Sequence, residues 1–164
     1  MTLQISEKLI YKDVEFYIGT YPLETYLAEK QICFNWESTA CKRGYNGTWL
    51  IEDDKLFLID LSATIIKDYG MWKWPFEYVE VGLDYLFPNQ EKVFAEWFSG
   101  VLRVPHGEMI RYVHQGYASI YEKELYLRFV NGKYVSYREN DQSHLRGNEL
   151  ALKEKEMDGI WESI

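Results

Sequence analysis

The sequence predicts a mainly β (α+β) fold, a bent antiparallel sheet or partly closed barrel built from hairpins. One or two short helices and a C-terminal helix complete it. Three observations predict this. Apolar and polar residues alternate at period two from the first hairpin through Arg138, as half-buried strands require. Turn-forming pairs separate the runs, and Asn131-Gly132 is the strongest of them because both positions accept positive φ. Aromatic residues, 14 Tyr, 8 Phe and 6 Trp, make up 17% of the chain, and such side chains favour a pleated surface.

The elements follow in order. Leu9 and Tyr11 alternate before Lys12-Asp13, and Val14, Phe16 and Ile18 after it, which predicts a hairpin over Lys8 to Ile18. Pro22 precedes Leu23, Tyr26 and Leu27 at helical spacing, a short helix. Ile32 to Trp36 reads as a strand. Gly44 and Gly47 then mark a bend or bulge. Thr48 to Leu61 is a hairpin around Asp53-Asp54, with Leu56 and Leu58 on the return.

Residues 63–82 give no clear period, and Pro75 argues against a central strand in the aromatic run from Met71 to Phe76. Leu83 to Phe87 is a short apolar segment stopped by Pro88. Val93, Phe94, Ala95 and Trp97 fit a helix capped by Asn89 or a strand equally well. Phe98 to Val104 is read as a strand with Gly100 as a bulge and Pro105 as its stop. Glu108 to His114 forms another. Ile120 to Val130 is a long strand, and Lys133 to Arg138 returns beyond Asn131-Gly132. The tail from Ser143 is rich in Glu, Lys and Leu. Glu149 and Lys153 stand at a helical pair spacing, so residues 143–164 are read as a docking helix.

At 164 residues the length suits one domain, 1–164, with a β-rich core over 1–140. A chain of this size buries roughly 70% of its surface, enough for a core without disulfide or metal. The balance of 18 basic against 26 acidic side chains gives a net charge of −8. That disfavours nucleic acid, which requires a basic stripe, and anionic membrane surfaces. The start, Met1 to Lys8, shows no basic region followed by an apolar run, so a signal peptide is not expected, and no apolar run reaches the length of a span. A cytoplasmic location follows as an expectation, with Cys33 and Cys41 as free thiols.

No cofactor signature is present: there is no phosphate loop and no nucleophile elbow. The cysteines lack the short paired spacing of a zinc site, and no metal site is assigned. Candidates for chemistry are therefore individual residues. Cys41 precedes Lys42 and Arg43, and neighbouring cations favour a thiolate. His114 could act as a base near neutral pH, with Glu122 orienting it. Tyr117 and Tyr121 stand around the same glycine break at Gly116. Arg43, Tyr45 and Arg103 lie in glycine-bearing aromatic segments, where an arginine can fork onto an anion or stack on a ring.

Cys41 through Trp49, Leu86-Phe87-Pro88, Trp97 through Pro105 and Tyr112 through Glu122 together resemble a family of small bacterial proteins with no assigned activity. The resemblance extends to about Tyr137. It implies a bacterial cytoplasmic setting and a self-contained domain, and it carries over no catalytic residue.

The leading functional expectation is a non-catalytic binding or interaction domain. Its surface should show an apolar patch rimmed by acids. The alternative is a small-molecule pocket or hydrolase-like enzyme using His114, Tyr117, Glu122 and Arg43, whose polar tips should then converge on one cavity. A third expectation is a homo-oligomer built through edge strands.

Overall fold

The computed structural model describes residues 5–35, 41, 43–67, 77–111 and 120–141. Its frame is a run of hairpins with tight turns. Strands β1 (Glu7–Tyr11) and β2 (Val14–Ile18) turn at Lys12-Asp13, both at positive φ. The same conformation recurs at Asp53-Asp54 between β3 (Tyr45–Glu52) and β4 (Lys55–Ile66). It recurs again at Asn131-Gly132 between β8 (Ile120–Val130) and β9 (Lys133–Asp141). Turns of this hand match the right-handed twist of the strands they join. All three hairpins stand where the alternation predicts them.

The remaining elements are short, apart from β7 (Gly100–Arg111). Helix α1 (Glu24–Glu29) buries Leu27, and Leu23 just before it. Strand β5 (Tyr78–Val81), helix α2 (Leu83–Leu86) and the two-residue strand β6 (Val93–Phe94) follow. The sheet order is β2-β1-β3-β4-β9-β8-β7, with β5 and β6 also pairing β4. The sheet bends without closing. Its two ends approach each other just past β2, where the Gly19 amide donates to the Arg103 carbonyl at 3.0 Å and the Arg103 amide donates to Thr20 Oγ1 at 3.0 Å.

The sheet is mixed. β1 pairs β2 antiparallel but β3 parallel, with Leu9 beside Trp49 and Tyr11 beside Ile51. A parallel neighbour needs a long connection, and here α1 and the segments around it supply one. Sequence periodicity marks strands but not their direction, so the antiparallel sheet expected from the hairpins includes this one parallel pair among the described strands.

Other readings change as well. Ile32 to Asn35 joins no ladder. Asn35 alone bonds the sheet, donating to the Thr64 carbonyl at 2.8 Å. Val93 to Trp97 is neither a helix nor a full strand, since β6 stops after Phe94. Pro105 does not end its strand, which runs through it to Arg111. β7 lies at the end of the strand order, so a residue without an N–H can face away from the ladder there. Gly100 pairs regularly with Phe129, and the irregularities come later, past His106. Residues 63–66, unreadable by period, extend β4. The aromatic run 71–76 and the tail 143–164 lie outside the described residues.

Leu9, Ile18, Trp49, Leu56, Leu58, Leu102, Leu127 and Phe129 form the centre of the core inside the bend. A bulge between Thr48 and Trp49 lets one face of β4 stay apolar, as Leu56 and Leu58 and then Leu61 and Ala63. Without the extra residue, Asp60 would point inward in their place. The hairpin at Gly132 is seated on the core by its amide, which donates to the Phe98 carbonyl at 2.7 Å.

A Cβ at Gly132 would stand 2.5 Å from the Ala95 carbonyl oxygen, at a φ of +76°. Gly132→Ala is therefore expected to lose about 2 kcal/mol or more of stability in urea unfolding. An unchanged midpoint would show that the turn is not held in this geometry.

Candidate functional site

Two buried polar clusters stand out. The first lies where β1 and β3 run parallel. Glu7 follows the same strand parity as Leu9, so its side chain enters the core, and it is 0% exposed. Gly47 makes room for it, since a Cβ there would meet Glu7 Oε1 at 2.6 Å. That oxygen accepts from the Gly47 amide at 2.8 Å and from Trp49 Nε1 at 3.4 Å. Glu7 Oε2 has no hydrogen-bond partner. Burial pushes the Glu7 carboxyl up to about 7, against the opposing pull of the Arg43 charge and the two N–H donors.

Arg43 enters beside Glu7 from the bend at Gly44. Its guanidinium carbon lies 4.5 Å from the centre of the Tyr21 ring and 5.5 Å from that of Tyr45. Both rings turn their faces to the cation. Its Nε, Nη1 and Nη2 are all buried without a hydrogen bond. The charge acts on Glu7, yet the two groups are not in ion-pair contact. Burial, and then the Glu7 charge, raise the Tyr45 phenol above its ordinary range.

A groove of about 220 Å³ opens at the same end, lined by Ile5, Cys41, Gly44, Tyr45, Asn46, Ser62 and Thr64. The Cys41 thiol donates to the Tyr45 carbonyl at 3.3 Å. Cys33 is exposed, and both cysteines are free thiols.

The second cluster lies on the opposite face of β7 and β8 from the core. Arg103 pairs across the ladder with Tyr126, and Pro105 with Glu124. Arg103 donates from Nη2 to Glu124 Oε1, and the Tyr126 hydroxyl donates to Glu124 Oε2. All three are buried. Burial first, then the bond to Glu124, push the Tyr126 phenol above its ordinary range. Both carboxylate oxygens are engaged, which describes a structural ion pair rather than a ligand site.

The sequence candidates therefore divide. Cys41, Arg43 and Tyr45 come together at the parallel junction. Arg103 belongs to the second cluster. Glu122 shares the sheet face of Glu124, two residues away, whereas half-buried Tyr121 follows the parity of Leu125 and Leu127. Arg43 and Arg103 thus serve different clusters. His114 and Tyr117 lie outside the described residues. Sequence reasoning missed Glu7 and Tyr21, as well as the role of Gly47. An acid in phase with core residues of its strand was the available signal for Glu7.

At the other end of the sheet, aromatic side chains reach the surface. Val14, Val135 and Tyr137 are exposed, Tyr137 at 64%. Tyr11 and Tyr137 lie near enough to Tyr134 to raise its phenol, after burial itself, with Asp54 adding to the effect. β9 pairs β4 at Lys55 and Lys133, with the Tyr134 amide donating to the Asp54 carbonyl at 2.7 Å, so Val135 and Tyr137 lie beyond that contact. Exposed Asp13, Asp53, Asp54 and Glu139 are carried by the same hairpins.

No protein-family model, curated protein or solved structure matches the chain. Among the described residues, no helix is long and apolar enough to cross a membrane.

Two stability measurements test these clusters. Glu7 binds its proton more tightly folded than unfolded, so the unfolded chain releases its proton first as pH rises. Stability should fall between about pH 4.5 and about 7 by about 3 kcal/mol. Glu7→Gln should flatten that part of the profile, and an unchanged slope would remove Glu7 as its source. Arg103→Met leaves the Glu124 charge buried without its cation and is expected to cost about 3–5 kcal/mol. Denaturation of the double variant Arg103→Met, Glu124→Gln should recover part of that loss.

Proposed function

We propose that the protein is a non-catalytic interaction domain of a bacterial cytoplasmic protein. On this reading it docks a basic polypeptide segment against the tyrosine-bearing end of the sheet. The observation that carries this is the surface formed by Tyr11, Tyr134 and Tyr137 with Val14 and Val135. Tyrosine is well suited to such a surface, because it offers a large apolar body with a polar tip and few rotatable bonds. Tyr137 in particular lies 64% exposed on β9, paired with β8 at Leu127 but past the contact with β4. A side chain of that size gains area only when a partner covers it.

Charge favours a basic occupant. The chain carries a net charge of −8, and Asp13, Asp53, Asp54 and Glu139 are exposed around the patch. Cations stand in the same hairpins, with Lys133 and Arg138 exposed on β9. Lys12 lies over the Tyr11 ring at 5.1 Å, and Lys55 lies over the Phe94 ring at 5.7 Å. Acidic surfaces of this kind speed encounter with a cationic partner and weaken as salt rises. The division of the arginine candidates between two clusters also favours docking over catalysis, which needs convergent groups.

Selection of displayed random peptides against the intact domain tests this reading. Enriched sequences should be rich in Lys and Arg. Their binding should drop at least tenfold in Tyr137→Ala and weaken with added salt, while Arg43→Met leaves it intact. Enrichment without basic bias, or binding indifferent to Tyr137→Ala, would reject the proposed surface.

A further inference from the structure

We propose that the basic segment docks at the tyrosine surface as an added β-strand, hydrogen-bonded along the open edge of β9. This mode of docking rests on the reading of that surface given above and specifies how the partner is held. Three features of the geometry lead there.

First, β9 outruns the strand beside it. Lys133 pairs with Lys55, and the Tyr134 amide donates to the Asp54 carbonyl at 2.7 Å. Beyond that point lies the Asp53-Asp54 turn itself, where the chain reverses between β3 and β4. Val135 onward therefore runs past the turn, still paired with β8 as far as Asp141. Among the described residues, no strand lies on its other side there.

Second, the direction of the backbone groups on that side follows from the register. Opposed residues of an antiparallel pair alternate between hydrogen-bonded and non-hydrogen-bonded positions. The Tyr134 amide turns to Asp54, so Phe129 and Tyr134 are a non-hydrogen-bonded pair. The extra residue of the bulge, Val135, belongs to β9, so β8 keeps its phase from Phe129 through Leu127 to Leu125. Their partners Tyr137 and Glu139 thus aim N–H and C=O away from β8 as well. Both residues are exposed. An exposed edge of this kind is a template for another extended chain.

Third, the side chains sort by face. Tyr134, Tyr137 and Glu139 stand opposite Phe129, Leu127 and Leu125, on the face of the bend. Arg138 stands opposite Tyr126, and Lys133 opposite Val130, on the other face. An added strand alternates in the same way. Its side chains on the face of the bend meet Tyr137 and Glu139, with exposed Asp13, Asp53 and Asp54 at the neighbouring turns. Lysine or arginine suits those positions, since its stem covers a phenol ring while its head reaches the acids. On the other face a cation would meet Arg138. The occupant is therefore an extended segment with a basic residue at every second position.

An end-capped octapeptide that alternates lysine and threonine, titrated into the intact chain with amide hydrogen exchange followed by NMR, tests the added strand. Saturation should slow exchange of the Tyr137 and Glu139 amides by about tenfold or more, while the Arg138 amide, turned towards β8, keeps its rate. Glu139→Pro removes a donor of the edge without touching the β8 ladder. It should weaken binding by about tenfold or more, and Glu139→Gln by less. Binding that Tyr137→Ala abolishes while both amides still exchange fast overturns strand addition and leaves the surface reading standing. Equal losses in Glu139→Pro and Glu139→Gln overturn it as well. So does an absence of saturable binding, whereas the surface reading is decided by the peptide selection. Slow exchange of either amide in the free chain counts against it too, and a dimer in light scattering then gives the edge to a second copy. Should Glu139→Pro fail to fold, the exchange rates of the unaltered chain decide.

Discussion

The parallel junction between β1 and β3 is the constraint on which the sheet depends. Two strands whose pairing could slip are held there by one carboxylate. Glu7 Oε1 accepts from the Gly47 amide and from the Trp49 indole, both on β3. This attachment fixes the register that sets Leu9 beside Trp49. A shift of one residue would turn Glu7 outward and expose Leu9. The core continues from there, since Trp49 also pairs with Leu58 across the β3–β4 hairpin and shares one core cluster with Leu102 and Leu127.

The same junction concentrates unfavourable electrostatics. A carboxylate with one oxygen unbonded and a guanidinium without hydrogen bonds are both withheld from water. Tyrosine rings moderate the second charge but satisfy none of its donors. The contrast with Arg103, Glu124 and Tyr126 is instructive. There, arginine and phenol donors occupy both carboxylate oxygens, and the cluster behaves as part of the scaffold. Buried charges that are mutually satisfied support a fold, and those that are not raise its cost.

The tyrosine cluster and the Arg43 cluster occupy different ends of the sheet. The tight turns at Lys12-Asp13 and Asp53-Asp54 share an end with the tyrosine surface, while the bend at Gly44 carries Arg43 and the groove. Strand β4 links the two ends. It pairs β3 along most of its length and divides its other edge among β5, β6 and β9. That division takes β9 away from β4 and leaves Tyr137 at the surface.

The sequence by itself determined the β class and the hairpins. Period-two patterning and residues that accept positive φ act locally, and no distant contact is needed to read them. It also singled out Cys41, Arg43 and Tyr45, because cations and aromatics beside a glycine bend are visible in the chain. The tertiary structure alone decided the parallel pair, the passage of β7 through Pro105 and the partners of each arginine. Each of these depends on which strands become neighbours, and Glu7 with Gly47 shows why. Forty residues separate the carboxylate from the amide that binds it, and neither residue taken alone indicates the other.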